Sequence, residues 1–275
     1  MDTNDSITVI SADRSERLVQ FFKDLWDYRD LFYAFLERDI KIRYKQTFLG
    51  VAWVILQPLL MSGALAVILG KFAQIPVGKT PYLLFYLAAQ VPWVCFTQGL
   101  IGAGGSLENN AGLLSKVYFP RIVVPLAPLI GTVPDFCIGL VMINFAALYY
   151  GAWSGWLVIV APVLLLAIMA SAGGVGLILA ALNAQYRDIK YIIPMLTQLG
   201  FLVTVVYPVD RMPHWARVAM GLNPMAGIIA CFRAMVGGVP PSPRLLIANL
   251  GVTLILLVVG VLFFRKRENK LVDVL

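Results

Sequence analysis

Charge is the scarcest property of this sequence. Only 13% of its 275 residues are charged while 60% are hydrophobic, against about 25% charged and 45–50% apolar in a soluble globular domain. Too little charge remains to cover a water-facing surface, so an ordinary soluble enzyme is excluded. Histidine is scarcer still. His214 stands alone, and without an HExxH or similar ligand pair no metal site is expected. The three cysteines, Cys95, Cys137 and Cys231, lack CxxC or CxxH spacing, which argues against a disulfide framework and reads them as small core residues. A phosphate-binding loop is missing too. Gly78-Lys79-Thr80 imitates the end of one, but Ala73 occupies the place of the required earlier glycine and no strand precedes it, so the chain is expected to bind no nucleotide or other cofactor. Nor does the start read as a cleaved secretory signal, because Asp2, Asp5, Asp13 and Glu16 stand where a basic start and an apolar core are needed.

What the sequence has in excess is long apolar runs. Crossing a bilayer core about 30 Å thick takes roughly 20 apolar residues in helix. Such runs occupy 50–70, 81–101, 122–148, 156–182, 191–207 and 245–264. The fold class is therefore an all-α integral membrane protein with six spans. The fifth is expected to be short, kinked or broken, because Pro194, Gly200 and Pro208 interrupt or bound it. Residues 1–48 form a water-facing N-terminal segment, 49–265 the spanning domain and 266–275 a tail. Of the 22 basic residues, 16 fall before span one, between spans two and three, between four and five, or after six, which by the positive-inside rule puts both termini in the cytoplasm. Basic clusters beside apolar spans read as topology and affinity for anionic membrane lipids, not as nucleic-acid binding.

Several segments carry more than topology. Between residues 13 and 45, Leu18, Phe21, Phe22, Leu25, Phe32, Phe35 and Leu36 recur near helical spacing among charges, as in one or two amphipathic interfacial helices. Arg38, Lys41, Arg43 and Lys45 then form a basic collar. That segment serves either as a surface anchor or in gating and partner docking. The loop from Gly102 to Arg121 opens with Gly102, Gly104 and Gly105, after which Ser106 would cap a short helix bounded by Pro120. Ser106, Leu107, Glu108, Asn109, Asn110, Leu113, Leu114 and Lys116 make it either a docking knob for a soluble partner or an ordinary connector. Between spans five and six, Trp215–Met220 and Pro224–Val236 read as two short helices that dip into the outer leaflet or lie flat on it. In span two, Tyr82, Phe85, Tyr86, Trp93 and Phe96 share one helical stripe, facing lipid or a neighbouring helix, or lining a path on which sugar faces stack. Gln57 and Gln90 add hydrogen-bonding groups within spans. Asp135 is the one acid well inside a span. It is a functional candidate unless a helix terminus, a hydroxyl or an arginine elsewhere in the bundle pairs with it.

In order along the chain, Arg38-Asp39-Ile40-Lys41-Ile42-Arg43-Tyr44-Lys45-Gln46-Thr47-Phe48-Leu49-Gly50 through Trp53 to Gln57-Pro58, then Glu108-Asn109-Asn110 through Lys116-Val117-Tyr118-Phe119-Pro120, then Tyr186-Arg187-Asp188-Ile189, then Asn223-Pro224-Met225 through Arg233 resemble ABC-2 type permeases that export lipid-linked polysaccharides. The resemblance covers nearly the whole chain. It implies a bacterial inner-membrane transport subunit, not an enzyme, that pairs with a second copy of itself and two copies of a cytoplasmic ABC ATPase, in which ATP and Mg would sit. The cargo it implies is an undecaprenyl-linked glycan such as O-antigen, capsule or teichoic acid. It makes Ser106 to Val117 the ATPase coupling helix, Asp13 to Leu36 the interface helix, and the Trp215 to Val236 region, with Asn223, Pro224 and Arg233, an outer gate. Spans one and five would border the channel between protomers. Export of another amphiphile, or secondary transport, is the alternative reading. A secondary transporter, though, often shows internal repeats and several intramembrane charges, and a membrane transferase would be expected to gather acids or histidines at the interface.

Overall fold

The computed structural model describes residues 28–45, 50–114, 119–186 and 188–268, save the side chain of Asp210. Six helices are long and apolar enough to cross a membrane: Ala52–Phe72, Tyr82–Asn109, Val123–Tyr149, Trp156–Asn183, Ile189–Val206 and Pro243–Glu268. They correspond to spans one to six. A surface helix, Arg29–Lys45, precedes them. Asp30 in its first turn and Arg43 and Lys45 in its last each stand at the helix end whose dipole favours their charge. The basic collar is therefore the end of this helix and not a separate approach to span one, while the interfacial stretch expected over 13–27 lies outside the described residues.

Span two forms the centre, packed by span one, both parts of span three, span four and the helix Pro224–Met235. Span six lies along span four. Between lipid-immersed helices apolar burial gives little driving force, so small residues that let backbones approach carry much of the packing. Span six shows this where Gly260 crosses Gly174: a Cβ on Gly174 would stand 2.6 Å from the carbonyl carbon of Leu256, and one on Gly260 would overlap the Gly174 carbonyl.

Two spans are irregular for reasons visible in the sequence. Span three divides into Val123–Ile130 and Val133–Tyr149. Pro128 and Pro134 each remove an N–H from the helical ladder, and the turn at Gly131–Thr132 falls between them. Span five ends in a wider π-helical turn, Leu202–Val206, before Tyr207 and Pro208 turn extended. The following residues form a bent pair, His214–Leu222 and Pro224–Met235, meeting at 107°. Asn223 starts the second helix by accepting from the Met225 amide at 3.0 Å, and Pro224 takes the first position, where no N–H is needed.

One expected element differs. Ser106 does not begin a short loop helix, because span two runs unbroken through Gly102, Gly104 and Gly105 to Asn109, and only Ala111–Leu114 forms a separate turn. The glycines seat neighbours instead of ending the helix: Gly102 lies under Pro128 and Gly104 under Ile193. Buried Ser106 donates to the Ala103 carbonyl at 2.7 Å as a residue inside the helix.

Candidate functional site

The surface helix, the connections between spans two and three and between spans four and five, and the last turn of span six are tied together by polar side chains. We call this the basic end. Arg38 donates to Asn110 Oδ1 at 2.7 Å, Asn110 in turn donates to the Ser106 carbonyl at 2.7 Å, and the Arg38 guanidinium lies 5.0 Å from the Phe35 ring centroid. Glu108 accepts from Asn183 of span four at 3.0 Å and stands 3.7 Å from Lys190 of span five. Arg121 reaches the end of span six twice, its amide donating to Glu268 Oε1 at 3.0 Å and its guanidinium to the Glu268 carbonyl at 2.9 Å. Arg267 donates to Gln185. Lys41 pairs with Glu37 one turn back on an exposed face and holds that carboxyl below its usual range, and Lys45 is exposed.

The coupling residues read from the sequence divide by burial. Ser106, Leu107, Asn110 and Leu114 are buried, whereas Glu108, Asn109 and Leu113 are exposed. Lys116 and Val117 lie outside the described residues. The exposed three, with Gly112, form the accessible part of this turn.

Beside this turn the collar enters the bundle. Arg43 Nη1 lies 2.6 Å from Asp135 Oδ2, 3.2 Å from the Gly131 carbonyl and 3.2 Å from Gln98 Oε1. The Tyr44 hydroxyl donates to the other Asp135 oxygen. Burial, and then the carboxylate it donates to, push the Tyr44 phenol above its usual range, so it stays a donor. Asp135, buried in the first turn of Val133–Tyr149, also gains from the positive end of that helix. Of the readings open for this acid, pairing with an arginine elsewhere in the bundle is the observed one. A cavity of about 20 Å³, bordered by Gln57, Pro58, Gln98, Asp135 and Gly139, adjoins the pair.

At the opposite end, the bent pair is pinned from two sides. Asn223 donates to Thr204 of span five at 2.6 Å. Asn249 of span six accepts from the Gly227 amide at 2.6 Å and donates to the carbonyls of Met220 and Gly221 at 3.0 and 2.9 Å. Arg233 is buried, donates to the Val205 carbonyl and stacks 4.0 Å from the Phe85 ring centroid. A cavity of about 180 Å³ lies beside it, lined in part by Arg217, Pro240 and Ser242. Trp215, in contrast, is exposed.

The aromatic stripe of span two turns inward. Phe85, Tyr86, Trp93 and Phe96 are buried within the chain and Tyr82 half-buried against Gly70. Trp93 packs on Phe96 and on Phe201 of span five, with ring centroids 5.5 and 6.4 Å apart. In this chain these rings pack in the core, and Phe85 also borders the cavity beside Arg233. The physical reason is position: span two is surrounded on nearly every side, so its bulky face meets other spans. Gln90 is likewise buried, while Gln57 is exposed on span one.

Reading the sequence missed Tyr44, Asn183, Thr204, Asn249 and Glu268. For Asn249 a signal existed, since an amide inside an apolar span is costly unless it bonds to a neighbouring helix. For Glu268 and Tyr44 nothing local distinguishes them from other surface residues. Among the described residues no three His, Cys, Asp or Glu side chains converge on a metal position.

Known proteins resemble the chain along nearly its whole length. It is 27% identical to the O-antigen export system permease protein RfbA of Myxococcus xanthus, over 79% of this chain and 84% of that protein. A protein of the same name from Klebsiella pneumoniae is 25% identical over 90% of this chain and 95% of the relative. The polysialic acid transport protein KpsM of Escherichia coli is 26% identical over 86% and 93%. Residues 30–236 match the family described as ABC-2 type transporter. That match runs from the surface helix through five spans to the end of the bent pair, so the chain belongs to the ABC-2 type transporter family.

Proposed function

We propose that this chain is the membrane subunit of an ATP-driven exporter that carries lipid-linked polysaccharide, of O-antigen, capsule or teichoic acid type, across the bacterial cytoplasmic membrane. The observation that carries this reading is the near full-length likeness to permeases named for O-antigen export and polysialic acid transport. In this reading two copies enclose the path, and two copies of a separate ABC ATPase bind the basic end. The basic end and both termini face the cytoplasm, consistent with 16 of 22 basic residues lying on that side. Exposed Glu108, Asn109 and Leu113 meet the ATPase, the bent pair serves as the outer gate, and the grip of Glu108 on Asn183 and Lys190 links the docking turn to spans four and five.

The test is reconstitution. The chain is co-purified with its ATPase, placed in vesicles and supplied with an undecaprenyl-linked glycan. Glycan is expected to reach the far side only with ATP and both proteins, and transport by this chain alone would overturn the proposal. Leu113→Asp is expected to leave the fold intact and abolish ATPase association. Reporter fusions after Leu275 and near Lys79 are expected in opposite compartments.

A further inference from the structure

We propose that Arg43, Tyr44 and Asp135 are positioning residues that lock the break in span three to the surface helix, so that a shift of that helix turns Val133–Tyr149. This rests on the exporter reading above and adds the route by which motion at the docking turn enters the bundle.

The argument starts from the break. The helical ladder of span three breaks at Gly131–Thr132, between Val123–Ile130 and Val133–Tyr149, and carbonyls freed inside a membrane protein must find partners from other elements. Arg43 supplies one to the Gly131 carbonyl and, with the same nitrogen, binds Asp135 three positions beyond Thr132. Adjacent Tyr44 takes the second carboxylate oxygen. Both oxygens of a buried acid, and the carbonyl at the break, are thus held from the last turn of one helix. Separating them would leave a buried charge without its partner, which is strongly unfavourable. The two elements therefore move together or not at all.

The same helix is held a second time, five residues earlier, where Arg38 grips Asn110 at the start of the docking turn and the Phe35 ring lies 6.0 Å from that of Phe119. At about 1.5 Å per residue the two clamps are roughly 7.5 Å apart along a continuous helix. A displacement of the docking turn therefore reaches the break through a stiff connection. The cavity of about 20 Å³ between Asp135, Gln98 and Gln57, the size of about one water, leaves the carboxylate room to shift without meeting packed side chains.

A purely structural ion pair predicts something different, and two measurements separate the cases. The first uses the chain alone in lipid nanodiscs, with spin labels on exposed Cys137 of span three and on exposed Ile42→Cys of the surface helix, the other two cysteines being replaced by alanine. One narrow distance distribution is expected, broadening in Arg43→Gln and Asp135→Asn and much less in Arg43→Lys. An unchanged width in both neutral variants overturns the proposal, whatever the cargo.

The second uses the chain with its ATPase and reads glycan exported per ATP hydrolysed. Arg43→Gln and Asp135→Asn are expected to lower that ratio about ten-fold, within the range that coupling residues carry, with membrane abundance near normal. The double variant is expected to be no worse than the worse single, because each removes the same interaction. Tyr44→Phe, which keeps the ring and loses only the hydroxyl, is expected to lower the ratio about three-fold and covers the case in which the neutral variants fail to accumulate. Normal ratios in variants at normal abundance, or losses that add in the double variant, overturn the proposal. Absence of ATPase binding and export in the unaltered chain instead overturns the exporter reading and leaves the spin-label result to decide this one.

Discussion

Spans two and six invert the rule that governs soluble proteins. Span six is the most hydropathic of the six and span two the least, yet 78% of the apolar stretch of span two is buried inside the chain against 17% for span six. In water the most apolar segment would seek the interior. Here lipid accepts apolar side chains as readily as the protein core does. Leu254, Ile255, Val258 and Leu262 of span six therefore face outward, while span two, carrying Gln90, Gly99 and Ser106, is enclosed. Hydropathy thus reports what can face lipid, and small or polar residues report what must face another helix.

That contrast can be broken most severely at the crossing of spans four and six. Gly260→Val drives a side chain into the Gly174 backbone and is expected to cost roughly 3 kcal/mol or more, seen as loss of membrane abundance and a lowered unfolding temperature in detergent. Ile255→Ala on the outward face of the same helix is expected to change stability by less than about 0.5 kcal/mol. Comparable costs at the two positions would mean that the outward face is also buried, by a second copy or another subunit. Asn249→Leu comes next. It strips one bond from the Gly227 amide and two from the carbonyls of Met220 and Gly221, for an expected loss of about 2–3 kcal/mol and faster proteolysis around exposed Trp215.

Trp93→Leu empties space beside Gly200 and Phe201, with an expected loss of about 2 kcal/mol. Replacing exposed Trp215 by leucine is expected to leave the unfolding temperature unchanged. An exporting, fully stable Trp93→Leu protein would show that this ring is less tightly packed than its burial implies. The smallest effect is expected for Glu108→Gln, which weakens the Lys190 contact and keeps an acceptor for Asn183. At a half-exposed position this should move stability by less than about 1 kcal/mol, so a larger change in export than in stability separates coupling from packing.

Much of this was legible from the residues. The six runs lie within a few residues of the observed spans except at the end of span two, and the short helices at Trp215–Met220 and Pro224–Val236 appear as His214–Leu222 and Pro224–Met235. The error at Ser106 has a clear origin: three glycines in four residues signal a linker in water, whereas in a packed membrane bundle they allow neighbours to seat closely while the helix continues. The inward turn of the Tyr82–Phe96 stripe was not legible either, because a helical stripe shows which residues share a face without showing what that face meets.

Composition and local pattern determined that this chain spans a membrane six times, because insertion into lipid depends on the apolarity of each segment taken alone. Only the tertiary structure decided that Asp135 belongs to Arg43 and Tyr44, some ninety residues away, that Asn249 pins the bent pair, and that Gly174 and Gly260 share one crossing. Those outcomes depend on which faces meet after insertion. That choice is made by steric fit and by the need of every buried polar group for a partner, and neither is written in the hydropathy of any single span.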